Sequence, residues 1–282
     1  MRKSTKIWHI VASSLTLLGA LIFACTMMTA NWDFTKLSTV KYETKSYEIS
    51  EYFKNVSIDT TTANITILPT DEPVCRVECY EQTGIIHTVK VVDETLEIIT
   101  TDSREWHDYI DINFDTPTIT LYLPEANYVT VSASTSTGDI NVENITPSIL
   151  SCSVTTGRIT AKNVTCTGSA RFKVSTGNTF VENLRCSVFS SNGNTGDVTV
   201  KNVIAEEEFE IYRSTGDVRF TACDAPEICI ETDTGDITGT WLTPKTFVIK
   251  NDTGKVDVPS SKSGGKCSIK TSTGDIKISI EK

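Results

Sequence analysis

Asp217, Asp233, Asp236 and Asp252 stand on either side of Thr-Gly pairs in the last third of the chain. Carboxylates recurring in that way can share a hard cation such as Ca²⁺, which takes about six to eight oxygens. Alternatively, each one satisfies the backbone of its own turn. Asp197, Asp217 and Asp236 could also supply the acid and base of a glycan-cleaving enzyme if the fold opened a groove beside them. Their place next to a corner glycine explains them without catalysis. His87 and His107 come with no nucleophile elbow and no His-Glu-x-x-His metal motif.

The nine cysteines divide by position. Cys25 falls in an apolar amino-terminal stretch, and Cys152, Cys223 and Cys267 fall on inward columns of the pattern described next. Cys75 and Cys79 lie four residues apart on one face of a strand, ~13 Å at strand rise, too far for a bridge or a shared zinc, and with His87 they make a poor zinc site. Cys166 and Cys186 each follow a repeat glycine by nine residues on neighbouring units, a spacing that permits a disulfide.

The frame that positions these groups is a repeat. Thr-Gly recurs at Gly138, Gly157, Gly177, Gly196, Gly216, Gly235, Gly254 and Gly274, at intervals of 19 or 20 residues. Seven residues before each glycine stand Val131, Leu150, Ala170, Phe189, Phe209, Ile228, Phe247 and Cys267. Two after it stand Ile140, Ile159, Thr179, Val198, Val218, Ile237, Val256 and Ile276. Positions minus five and plus four continue the same two faces at a period of two, which is strand periodicity. Each unit therefore reads as a strand, a sharp glycine corner, a second strand and a return loop. Stacked at ~4.8 Å, eight such turns make a rod of roughly 38 Å. The fold class is all-β, a single-stranded β-solenoid of about 19–20 residues per turn.

Outward positions support the stacking. Position plus five reads Glu143, Lys162, Glu182, Lys201, alternating in sign, and position plus six reads Asn144, Asn163, Asn183, Asn202, which can form an amide ladder. Exposed ion pairs contribute at most ~1 kcal/mol each, so these rows set register more than stability. The last rung, Cys267 to Glu281, is expected to be the open end, with Lys266, Lys270, Lys277 and Lys282 guarding its edge.

The amino terminus is basic at Arg2, Lys3 and Lys6, and no charge follows until Asp33. The 26 residues from Ile7 to Trp32 would span ~39 Å as a helix, enough to cross a bilayer. A retained single-pass anchor with its amino terminus inside is expected, with a cleaved signal or a lipoprotein as alternatives. Beyond it the chain keeps 23 basic against 36 acidic residues, a formal charge of −13, which disfavours nucleic acid as a partner.

The expected organisation is a cytoplasmic stub at 1–6, a transmembrane anchor at 7–30, a stalk at 31–50, a β rung with capping strands at 51–130, and the eight-turn solenoid at 131–282. Val56 to Ile67 fits the repeat with Ala63 in the glycine's place. Further strands are expected at Val74–Tyr80, His87–Val92, Thr95–Thr100, Ile110–Phe114 and Thr118–Leu123.

Three segments, Tyr47 to Ile58, Ile119-Thr-Leu-Tyr-Leu-Pro124 and the repeated Ser-Thr-Gly-Asp-Ile, resemble a bacterial family of membrane-anchored candidate adhesins of otherwise unknown function. The resemblance covers residues 47–282. It implies a β-solenoid core, a surface location and a binding or structural role, and it implies no catalytic residues.

The expectation is thus a non-enzymatic protein of the bacterial cell membrane with its carboxy-terminal domain outside. No cofactor is expected, and its partners would be the membrane and a cell-wall polymer or envelope protein. A glycan-active enzyme and an envelope-stress signalling accessory are the alternatives. Converging carboxylates in a groove would favour the enzyme, and a flat, polar, Thr-lined rod would favour binding.

Overall fold

The computed structural model describes residues 3–34, 40–103, 115–261 and 263–281. His107, Lys282 and the expected strand Ile110–Phe114 lie outside the described residues. Contacts divide the chain into two compact units, one of residues 1–42 with 104–115 and one of residues 43–103 with 116–282.

In the first unit, Lys3–Thr29 is one helix, α1. Its apolar run Thr5–Thr29 is long enough to cross a membrane, 25 residues at ~1.5 Å each. The hydroxyls of Thr16 and Thr26 donate to the carbonyls of Ala12 and Ile22, four residues back, so neither is left unpaired on an apolar helix.

The second unit is built of strands. Its opening strands are β1 (Tyr42–Ile49), β2 (Asn55–Thr62), β3 (Asn64–Thr70), β4 (Cys75–Gln82), β5 (Ile85–Val92), β6 (Thr95–Asp102) and β7 (Thr118–Pro124). The array follows as β8 (Thr130–Thr137), β9 (Ile140–Glu143), β10 (Ile149–Thr156), β11 (Ile159–Thr165), β12 (Ser169–Thr176), β13 (Thr179–Thr195) and β14 (Val198–Thr215). It closes with β15 (Val218–Cys223), β16 (Glu227–Thr234), β17 (Ile237–Trp241), β18 (Lys245–Thr253), β19 (Val256–Asp257), β20 (Gly265–Thr273) and β21 (Ile276–Ile280).

Strands before the corner stack in parallel as β6, β2, β8, β10, β12, the second halves of β13 and β14, then β16, β20 and β18. Strands after the corner stack as β7, β3, β9, β11, the first halves of β13 and β14, then β15, β17, β21 and β19. The turns form a β-solenoid whose core lies between these two walls. The predicted columns are its inner faces: Val131, Leu150, Ala170, Phe189, Phe209 and Ile228 are all at most 1% exposed. An aromatic series runs through the middle, with Phe189 and Phe209 stacked at 4.6 Å and Phe220 on Trp241 at 4.1 Å. Gly239, the one glycine in the plus-four column, leaves Phe220 its space, since a Cβ there would stand 2.3 Å from the ring.

Two expectations are corrected. The segment assigned to a stalk includes β1, which pairs with β4, because Tyr47 and Ile49 alternate at a period of two and pack on the core. The last rung is also not the end. β20 pairs with β16 on one side and β18 on the other, and β21 lies between β17 and β19. The final turn is inserted inside the stack, and the preceding turn, with Val248 54% and Val256 48% exposed, forms the terminal edge. Lys266 and Lys270 therefore pair with Glu227 and Glu231 of the rung beneath rather than guarding a free edge.

Candidate functional site

All eight repeat glycines have φ between +125° and +153°, a region closed to residues with a Cβ. At Gly196 a Cβ would also stand 2.1 Å from the carbonyl oxygen of Gly177 on the neighbouring turn. Corner backbones thus approach closely, and where the residue after the glycine is Asp or Asn its side chain stitches the turns together. Asp197 Oδ1 accepts the backbone N–H of Asp217 at 3.0 Å, Asp217 Oδ1 that of Asp236 at 2.8 Å, and Asp236 Oδ1 that of Asp275 at 2.7 Å. Asn178 and Asp275 act in the same way toward Asp197 and Lys255. Arg219 adds ion pairs to Asp217 at 2.6 Å and to Asp197 at 3.3 Å.

The four carboxylates expected to share a cation do not form one cluster. Asp217 and Asp236 are engaged by the next turn's backbone. Asp233 and Asp252 lie on strands separated by the inserted β20, whose Thr273 is paired with both Thr234 and Thr253. Two strand spacings, ~9.6 Å, separate their positions.

Cys166 and Cys186 do lie on adjacent turns, joined by the Cys166 N–H to the Arg185 carbonyl at 2.8 Å. Both are free thiols, buried side by side in the core. Cys152, Cys223 and Cys267 are buried, as their columns predict. Burial pushes the thiols of Cys152, Cys166 and Cys186 up to about 12.

The outer face of the second wall is flat and ordered. The amides of Asn163, Asn183 and Asn202 each donate to the preceding asparagine of the ladder at 3.0, 2.8 and 2.8 Å. All four ladder residues have φ between +51° and +57°, a conformation asparagine tolerates better than other non-glycine residues, so one column serves both backbone and ladder. Beside it Glu143, Lys162, Glu182 and Lys201 lie in register. At the centre is the half-buried Phe180, with Lys162 Nζ 6.0 Å and Lys201 Nζ 5.5 Å from its ring centroid. Arg158, Thr160, Lys162, Asn178, Phe180 and Thr199 help line a shallow depression of about 410 Å³. A larger one of about 570 Å³, lined by Pro69, Tyr128, Asn144 and Thr146 among others, lies at the return-loop side.

Arg213 and Glu81 are buried polar residues that the sequence does not single out. Arg213 is wholly buried on an inward column, and its Nη2 donates to Thr179 Oγ1 at 2.8 Å. Near the capped end, one ligating atom each from Cys79, Glu81 and His87 come within 4.8 Å of one another, the one such group among the described residues. The period-two continuation from Cys75 through Val77 and Cys79 to Glu81 was the available signal for the second.

The profile of the family described as Toastrack DUF4097 matches residues 53–282. A candidate adhesin from Bacteroides fragilis is similar in structure at a TM-score of 0.42 and 16% identity, with 85% of this chain and 97% of that one covered. A candidate adhesin from Parabacteroides distasonis is similar at 0.41 and 12%, with 86% and 98% covered. A candidate lipid-binding protein from the same organism is similar at 0.37 and 14%, again with 86% and 98% covered. No curated protein matches the chain.

Proposed function

The chain belongs to the Toastrack DUF4097 family, and on that premise we propose that it is a non-enzymatic binding module of the bacterial cell envelope. In this reading α1 holds it to the membrane as a single-pass anchor, and the solenoid stands outside. The observation that carries the reading is the outer face around Phe180. Its flat row of Thr160, Phe180 and Thr199, edged by the asparagine ladder and by Lys162 and Lys201, offers an aromatic surface ringed by donors and acceptors at regular spacing. Such a surface suits a repetitive, hydroxyl-rich chain better than a small substrate, which needs a concave pocket. A cell-wall polymer is the partner class proposed.

The corner aspartates favour this reading over the glycan-active enzyme, since Asp197, Asp217 and Asp236 each hold the neighbouring turn's backbone. A retaining or inverting pair needs two carboxylates facing a substrate across a cleft.

The test is retention of a soluble 31–282 fragment on purified wall polymer and on intact envelopes. Phe180→Ala is expected to lower retention several-fold with an unchanged melting temperature. Equal retention of the two proteins would remove this face from the reading, and retention on envelopes but not on wall polymer would replace the polymer with an envelope protein.

A further inference from the structure

We propose that Cys79, Glu81 and His87 form a binding site for a zinc-class divalent metal ion within the capped end of the solenoid. They converge because the chain leaves one wall as β4, turns at Thr83-Gly84 and enters the other as β5. Cys79 and Glu81 occupy alternate positions on the buried face of β4, and His87 is the buried residue near the start of β5. Their exposures are 0%, 0% and 2%, and the three ligating atoms already lie within 4.8 Å of one another. Thiolate, imidazole and carboxylate together are a zinc donor set, whereas Ca²⁺ and Mg²⁺ take oxygen ligands.

The surroundings hold the donors in place. Glu81 Oε2 accepts the backbone N–H of His87 at 2.7 Å and lies 3.1 Å from its Nδ1, which fixes the ring. Lys45 Nζ stands 2.6 Å from Glu81 Oε1. Left over are His87 Nε2 and Thr100 Oγ1, both buried without a partner, on residues paired across β5 and β6. Adjacent orphaned polar atoms in a closed site call for a missing ligand. The other explanation of the trio, a buried ion pair closed by a neutral histidine, leaves both atoms to a buried water.

A neutral imidazole keeps one ring lone pair for the ion in either tautomer. Binding deprotonates Cys79: the S–H bond breaks, the sulfur lone pair goes to the metal, and one proton leaves to solvent. Three protein ligands leave a fourth position for water.

The experiment uses the full chain in detergent, stripped with a chelator and dialysed against Zn²⁺ or Co²⁺ alone. The expected result is one metal ion per chain by elemental analysis, with a thiolate-to-cobalt charge-transfer band. Cys79→Ala should abolish the band, His87→Gln should weaken uptake by about tenfold or more, and Cys75→Ala should leave both unchanged. Circular dichroism establishes that each variant is folded. Should one not fold, the wild-type cobalt spectrum decides alone. Wild-type protein without stoichiometric metal or without the band, or a band that survives in folded Cys79→Ala, overturns the site.

Discussion

Gly193 and Arg213 occupy one inward column on paired strands, and the glycine gives the buried guanidinium its room. A Cβ at Gly193 would stand 2.9 Å from Arg213 Nη1 and 2.0 Å from the Val174 carbonyl oxygen. Nη1 donates to the carbonyls of Tyr212 at 2.9 Å and Ser191 at 3.2 Å, and Nη2 donates to Thr179 Oγ1 and Ser191 Oγ. Burial pushes the guanidinium down to about 10, so it stays charged at neutral pH, held by oxygens rather than a carboxylate.

Gly193→Ala is therefore expected to destabilise the solenoid by about 1–3 kcal/mol, because the neighbouring backbone and the guanidinium must both move. Thr199→Ala, on the outer face, should stay within about 0.5 kcal/mol of the parent. Thermal unfolding of the 31–282 fragment makes the comparison. Equal melting temperatures for Gly193→Ala and the parent would contradict the packing described.

At the corners, Gly196→Val combines a forbidden φ of +125° with a clash against the Gly177 carbonyl. The expected cost is at least about 1–3 kcal/mol, against little for Lys201→Val on the outer face. Denaturant midpoints read it directly, and indistinguishable midpoints for the two variants would refute the role of the corner.

Alkaline pH should unfold the protein through its core thiols. Cys152, Cys186 and Cys223 are raised from 9.0 to about 12 by burial, so the folded state keeps protons that the unfolded chain gives up. A thiol raised in this way adds stability that is complete below roughly pH 9 and is lost as pH climbs toward 12. Urea midpoints should fall across that window, and replacing these cysteines with alanine should flatten the fall. An unchanged slope in the variant would show that the thiols are not responsible.

Most of the architecture was legible because inward positions repeat at a fixed offset from each glycine. That offset predicted both walls, the Ala63 rung and the asparagine ladder. Neighbour order was not legible: every turn presents the same inward columns, so Ile230 packs as well beside Ile269 as beside Ile249. The one signal is the long polar connection from Pro259 to Gly265, which gives the chain reach to fold back. Arg213 and Gly193 were hidden by the same averaging, since an arginine in a column otherwise of Thr, Val, Gly and Asn (Thr135, Val154, Val174, Gly193, Thr232, Asn251, Thr271) reads as an outward slip until its neighbour's missing side chain is seen. Glu81 and His87 were separated in the sequence by a turn whose crossing between walls only the fold supplies.

The inserted turn can be tested by cross-linking. Glu231 is paired in register with Lys270, and Lys250 lies one strand further on. Neighbouring strands ~4.8 Å apart can hold a disulfide, and strands ~9.6 Å apart cannot. Glu231→Cys with Lys270→Cys should oxidise readily, whereas Glu231→Cys with Lys250→Cys should not. The reverse outcome would restore the order of the sequence.

A binding role at the cell surface requires that the solenoid stand outside the membrane, with α1 as its proposed anchor. Protease added to whole cells is the most direct measurement, read with one antibody against the amino terminus and one against the solenoid. The solenoid epitope should be released or degraded while the amino-terminal stub stays with the cells. Protection of residues 43–282 in intact cells, with digestion only after lysis, would place the domain on the inner side and contradict the proposed function.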